Sequence, residues 1–187
     1  MSIKALFAAP FAALLIAAAP APAPAPSIVA PPEVAAQGAN HLFLDLSNGG
    51  TVEIVLRPDL APHNVERIQT LVRRGFYDGL TFHRVVPGFM AQGGDPKGTG
   101  EGGSELPDVK GEFTSVPFMR GTLGAARSES PDSANSQFFI MFVPNPELDG
   151  RYTVMGRVVK GMDVVDRIAP GEPPAEPTKI VRAYLGG

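Results

Sequence analysis

Between residues 41 and 56 hydrophobic and polar positions alternate with a period of two, broken once. Leu42, Leu44 and Leu46 share one face of the first run, and Val52, Ile54 and Leu56 share one face of the second. Such alternation predicts two strands that each turn one face to a core. Asn48-Gly49 stands between them, and both residues tolerate positive φ, so a hairpin is expected there. The period then changes. Val65, Ile68, Leu71 and Val72 recur at helical spacing, Pro62 suits a first turn where its missing N–H is no loss, and Gly75 stops the run. Further strands are predicted over 80–86, 121–126, 137–143, 152–159 and 178–185, and a second short helix over 161–168. Gly, Pro and polar residues make loops of 95–107, 127–136 and 170–177. Many strands with two helices predict a mostly β domain, arranged as a closed barrel that hides its strand edges.

Upstream of residue 40 the pattern is of another kind. Lys4 is followed by an Ala/Leu-rich apolar run over 5–19, the layout of an export signal. The run is short for a membrane span, which needs about 20 apolar residues. Alternating Ala and Pro over 20–26, then Pro31-Pro32, favour an extended and semi-rigid linker. The expected organisation is therefore a signal-like segment over 1–19, an Ala/Pro-rich linker over 20–39 and one folded domain over 40–187. Cleavage is expected between Ala18 and Ala36, with a weak tether if it fails and no stable membrane span either way.

Composition mainly excludes. A net charge of −3 offers no basic face for a nucleic-acid partner. The absence of cysteine rules out disulfides, thiolate metal sites and a cysteine nucleophile. His41, His63 and His83 are scattered without ligand spacing, so neither a metal nor a cofactor is expected. Gly98, Gly100 and Gly103 match a dinucleotide fingerprint by spacing only, because no buried strand precedes them and no helix follows. A hydrolase triad can be written from Ser136, His83 and Asp95, but no nucleophile-elbow motif supports it.

The candidate chemistry lies in residues 82–95, Phe-His-Arg-Val-Val-Pro-Gly-Phe-Met-Ala-Gln-Gly-Gly-Asp. They set a permanent cation, Arg84, near an amide, Gln92, with Phe89 and Met90 between them after a Pro87-Gly88 turn. A guanidinium beside apolar groups can grip a peptide without cutting it.

This run resembles the signature of the cyclophilins, a family of peptidyl-prolyl isomerases. Ser136-Gln137-Phe138-Phe139-Ile140 resembles the family's other signature, and Leu148-Asp149-Gly150 followed by Tyr152 resembles a third element. Order and spacing agree from about His41 to Leu185. The resemblance implies a closed eight-stranded antiparallel β-barrel with a helix at each end. It implies that Arg84 is catalytic and that Phe89, Met90, Phe139 and Leu148 line a proline pocket. Gln92 and Gln137 would bind peptide backbone or orient Arg84. Gly100 would lie beside the substrate, and Ala126 and Arg127 would offer it backbone groups. Arg127 stands where many members have asparagine, and Tyr152 stands at the pocket where many have histidine. Glu147 falls where many eukaryotic members carry a tryptophan that helps to bind cyclosporin, so weak cyclosporin binding with retained isomerase activity is expected. The pattern is similar to the bacterial exported branch, which implies a periplasmic monomer acting on proline-containing polypeptides during folding. A module of a different class, binding proline peptides with little turnover, is the alternative that Glu147 and Tyr152 leave open.

Overall fold

The computed structural model describes residues 27–187. The signal-like segment 1–19 and the linker residues 20–26 lie outside the described residues. Among the described residues eight strands form one antiparallel sheet: β1 (His41–Leu46), β2 (Gly50–Leu56), β3 (Phe82–Val86), β4 (Met90–Gly93), β5 (Thr122–Ala125), β6 (Phe138–Met141), β7 (Val154–Lys160) and β8 (Ile180–Leu185). Their order across the sheet is β3-β4-β6-β5-β7-β2-β1-β8. The expected first hairpin is present, with Leu42 opposite Ile54 and Leu44 opposite Val52. Strand β4 lay hidden in the sequence, because its four residues, Met-Ala-Gln-Gly, are too few to show a period and include poor strand formers.

The sheet curls but stays open, which corrects the expected closed barrel. Edge strands β3 and β8 approach only at their ends, through an isolated bridge between Thr81 and Lys179 and a bond from Phe82 N–H to the Thr178 carbonyl of 3.0 Å. Beyond that point the chain parts. Val85 exchanges both backbone bonds with Gly171, at 2.8 and 2.9 Å, so a loop residue takes the place that β8 would need to close the ring.

Among the described residues three α-helices accompany the sheet where two were expected: α1 (Pro32–Ala35), α2 (Pro62–Arg73) and α3 (Met162–Asp166). Helix α2 starts on Pro62 as its pattern predicts, buries Val65, Ile68, Leu71 and Val72, and packs on β8, while α3 packs on β2. The extra single turn α1 lies within the Ala/Pro-rich stretch, and its Val34 is buried. Among the described residues no helix is long and apolar enough to cross a membrane.

Period-two geometry divides the core. On β6, Phe138 and Ile140 enter a large cluster with Leu44, Ile54, Phe82 and Leu123, whereas Phe139 and Met141 point the other way. With Met90, Val116, Phe118, Ala126 and Val154 these two form a second, smaller cluster. Phe89, Leu148 and Tyr152 pack on its outer side and remain partly exposed. All four β6 residues are buried, so the strand reads in sequence as one apolar run.

His41 fastens the start of the domain to this frame. Its Nδ1 lies 2.8 Å from Glu53 Oε1 and its Nε2 lies 2.7 Å from the Ala35 carbonyl. Both partners are acceptors, so only the imidazolium donates to both. The Ala35 carbonyl, followed by the Glu53 carboxylate, raises the His41 pKa above its ordinary value, against the opposing effect of burial. A raised folded-state pKa means that the stabilisation is complete below the unfolded value, about 6.5, and is lost as pH rises through the folded value. We expect the melting temperature to fall as pH rises from about 6 to about 9, and His41→Gln to remove that part of the slope. Thermal scans of both proteins across this range check it, and equal slopes would exclude the His41 ring as the source.

Candidate active site

The β3–β4 hairpin places the motif residues. Gly88 takes a φ of 72°, and Phe89 N–H closes the turn on the Val86 carbonyl at 3.0 Å. This conformation favours glycine, and it returns the chain so that Arg84 stands opposite Gln92. Beside them β6 contributes Phe139, and the short turn Pro146–Leu148 contributes Leu148. Arg84, Phe89, Met90, Gln92, Ala126, Arg127, Phe139, Leu148 and Tyr152 together line a hollow of about 320 Å³. Gly100 and Gln137, the remaining expected site residues, line an adjoining hollow of about 580 Å³ that shares Gln92, Ala126 and Arg127 with the first. Residues expected from separate motifs thus meet in one continuous groove.

The floor of the first hollow is apolar and held on several sides. Phe139 stacks on Phe118 with ring centroids 5.8 Å apart and meets the edge of Tyr152 at 5.8 Å. Gly124 passes beneath the Phe139 ring, and a Cβ at this glycine would collide with it. On the outer side the Arg127 guanidinium lies 4.4 Å above the Tyr152 ring. It also donates to the carbonyls of Ser128, Glu129 and Arg151, so this cation builds the wall instead of reaching into the groove. Ala126 N–H is spent on the Gln137 carbonyl at 3.0 Å, so of the two backbone groups expected to serve a peptide only the carbonyl is left.

An amide relay ties the two hollows together. Gln92 Nε2 donates to Gln137 Oε1 at 2.8 Å, and Gln137 Nε2 donates to the carbonyls of Gly100 and Gly102 at 2.9 and 2.8 Å. The loop that carries these carbonyls is organised by Asp95. This buried carboxylate accepts from the backbone N–H of Lys97 at 2.8 Å, Thr99 at 2.9 Å and Gly100 at 2.6 Å. Burial acts to raise its pKa, but the backbone donors of Lys97, Gly100, Gly102 and Thr99 outweigh it and hold the group below the usual carboxylate range. The glycines that mimic a dinucleotide fingerprint are thus part of a loop wound on Asp95.

The hydrolase constellation is not assembled. Ser136 Oγ is fully buried and donates to the Gly94 carbonyl at 2.7 Å, and Asp95 is committed to its loop. His83 is buried with neither ring nitrogen bonded to a partner among the described residues, and burial pushes its pKa down.

Arg84 is half-exposed at the rim of the hollow, and its Nε donates to Glu172 Oε2 at 2.8 Å. Glu172 was missed in the sequence. It sits in the loop of residues 170–177, and no pattern links it to a strand 88 positions earlier. Glu147 lies outside the lining and is exposed, with its N–H on Asn145 Oδ1 at 3.0 Å.

Residues 43–185 match the family model described as cyclophilin type peptidyl-prolyl cis-trans isomerase/CLD. The chain belongs to the cyclophilin-type peptidyl-prolyl cis-trans isomerases. A probable peptidyl-prolyl cis-trans isomerase of Brucella suis is 50% identical to this cyclophilin over 167 residues, covering 81% of this chain and 85% of the relative. Peptidyl-prolyl cis-trans isomerase B of Bacillus subtilis is 42% identical over 129 residues, covering 68% and 89%. Among solved structures, a cyclophilin from Hirschia baltica superposes with a TM-score of 0.74 at 30% identity, covering 80% of this chain and 74% of that one. A cyclophilin-type isomerase of Cryptosporidium parvum, crystallised in the presence of the dipeptide Ala-Pro, gives a TM-score of 0.72 at 25% identity, covering 79% and 99%. The mostly β, antiparallel cyclophilin fold that the motifs implied is therefore present, but not the closure they implied, since the sheet is open between β3 and β8.

Proposed function

We propose that this cyclophilin catalyses rotation about X–Pro bonds of exported polypeptides, with Arg84 stabilising the twisted amide above the apolar hollow. Rotation is slow because C–N resonance must be lost, a barrier of about 18–20 kcal/mol. In the twisted state the prolyl nitrogen becomes pyramidal and gains a lone pair. An Arg84 N–H can donate to that lone pair, an interaction weak in the planar ground state, so binding favours the transition state. Phe89, Met90, Phe139 and Leu148 hold the ring while the preceding carbonyl turns, and their apolar surface strengthens the charged hydrogen bond. Gln92, held in place by its bond to Gln137, presents its amide oxygen to the peptide backbone. A 10⁵-fold acceleration would need about 7 kcal/mol, shared between positioning and this one contact.

The observation that carries the reading is a guanidinium at the rim of a hollow with an apolar floor, with the nearby serine, histidine and aspartate committed elsewhere or buried. Exchange NMR of a short X–Pro peptide tests it. Line broadening between the cis and trans signals without new peptide termini is expected. Saturable binding without exchange would favour a proline-binding module, and new termini a hydrolase. Cyclosporin added to the same assay should leave the rate nearly unchanged, since Glu147 offers no indole to the drug, whereas full inhibition by a near-stoichiometric amount would reject this.

The signal-like segment over 1–19 supports a periplasmic location, with the domain released by cleavage or tethered by its Ala/Pro linker. N-terminal sequencing of protein recovered from the periplasm checks this, and recovery of the intact chain from the cytosol would reject it.

A further inference from the structure

We infer that Glu172 is the positioning residue for Arg84, a proposal that rests on the catalytic role given above to that arginine. The resemblance assigned this task to a glutamine, but Gln92 and Gln137 bond to each other and to the glycine loop instead. Among the described residues Glu172 is the hydrogen-bond partner of the Arg84 side chain, accepting from Nε at 2.8 Å.

The contact is built into the backbone. Val85 and Gly171 exchange both hydrogen bonds as an antiparallel bridge, at 2.8 and 2.9 Å. Arg84 and Glu172 are the next residues along each chain, so the bridge brings their side chains within reach although Glu172 itself lies in a bend. Gly171 fixes the approach of the loop. Its φ is 142°, and a Cβ there would come within 2.6 Å of the Pro174 backbone. The edge of β3 left free by the open sheet is thus used to bring a carboxylate to the arginine.

The chemistry fits a positioning task. A guanidinium is planar, so an acceptor on Nε sets the plane and leaves the two terminal nitrogens free to face the hollow. An exposed pair of this type adds little to folding stability. Orientation of a reacting group, in contrast, changes rate steeply, and a small misplacement can cost about 10²-fold.

The test uses the full-length protein, exchange NMR of an Ala-Pro-containing peptide, and the variants Glu172→Ala, Glu172→Gln, Arg84→Lys and Arg84→Lys with Glu172→Ala. Glu172→Ala should lower kcat by about tenfold with KM changed less than about twofold. The melting temperature should be unchanged, and the Arg84 Nε–H NMR signal should broaden. Glu172→Gln keeps an acceptor oxygen and should retain at least about half of kcat. In the Arg84→Lys background, which has no Nε–H fork to orient, Glu172→Ala should have no further effect. Wild-type kcat in Glu172→Ala, or an equal loss in both backgrounds, would overturn the positioning role while leaving Arg84 in place. If Arg84→Ala itself turned over at the wild-type rate, the parent reading would fall and this one with it.

Discussion

Arg84→Ala is expected to lower kcat for an X–Pro peptide by about 10²–10³-fold, the usual effect of removing one donor aimed at charge that develops in the transition state. The loss should fall on kcat more than on KM. In the planar ground state the amide nitrogen holds its lone pair in resonance, so Arg84 contributes little to substrate affinity. Folding should hardly respond. The side chain is 40% exposed and its recorded partner, Glu172, is 52% exposed, so the pair lies in the range where ion pairs add little. Arg84→Lys should be intermediate, because an ammonium keeps the charge but lacks the planar fork. Rates measured at saturating peptide, beside a thermal scan of each variant, decide the matter. A folded Arg84→Ala protein with wild-type kcat would remove the guanidinium from the mechanism and leave the apolar hollow as a binding device.

What the sequence reveals follows from how local each signal is. The β1–β2 hairpin is legible because Leu42, Leu44, Leu46, Val52, Ile54 and Leu56 recur at every second position on either side of Asn48-Gly49, and the register obeys them. Helix α2 is legible for the same reason, with the added stop at Gly75. Strand β4 is not legible: Met90 faces the smaller cluster and Ala91 the larger, but four residues cannot display a period. The openness of the sheet could not be read either, since it depends on Val85 choosing Gly171 as its backbone partner, a tertiary event without local trace. Within the site, contiguous motifs gave Arg84, Phe89, Met90, Gln92, Gln137 and Phe139. Glu172 and Gly124 escaped because their roles exist only through residues brought from elsewhere in the chain, Arg84 for one and the Phe139 ring for the other. Asp95 was visible as a motif residue, yet its work is to wind the backbone of the following loop, which side-chain chemistry alone does not suggest.

Phe139→Ala should have the largest effect on stability, a loss of about 3–5 kcal/mol in urea denaturation, the range for emptying a buried aromatic site. The ring is 5% exposed, stacked with Phe118 and nearly perpendicular to Tyr152. Gly124 cannot rise to fill the space, because it is backbone in the middle of β5, paired directly with residue 139. The hole should therefore persist instead of collapsing, which places the cost toward the upper part of the range. Phe139→Leu refills most of the volume and should cost clearly less. Domains of this size have about 5–15 kcal/mol in reserve, so the alanine variant should remain folded at low temperature, where its catalysis can be read. There it should differ from Arg84→Ala in kind. On the proposed reading the ring would touch the prolyl group in the planar and the twisted state alike, so its loss should remove uniform binding, raising KM while leaving kcat much less affected. A stability loss below about 1 kcal/mol would place the ring outside the core. A kcat collapse at unchanged KM would show that Phe139 acts on the rotating amide itself, and the division of labour between an apolar floor and a charged rim would have to be abandoned.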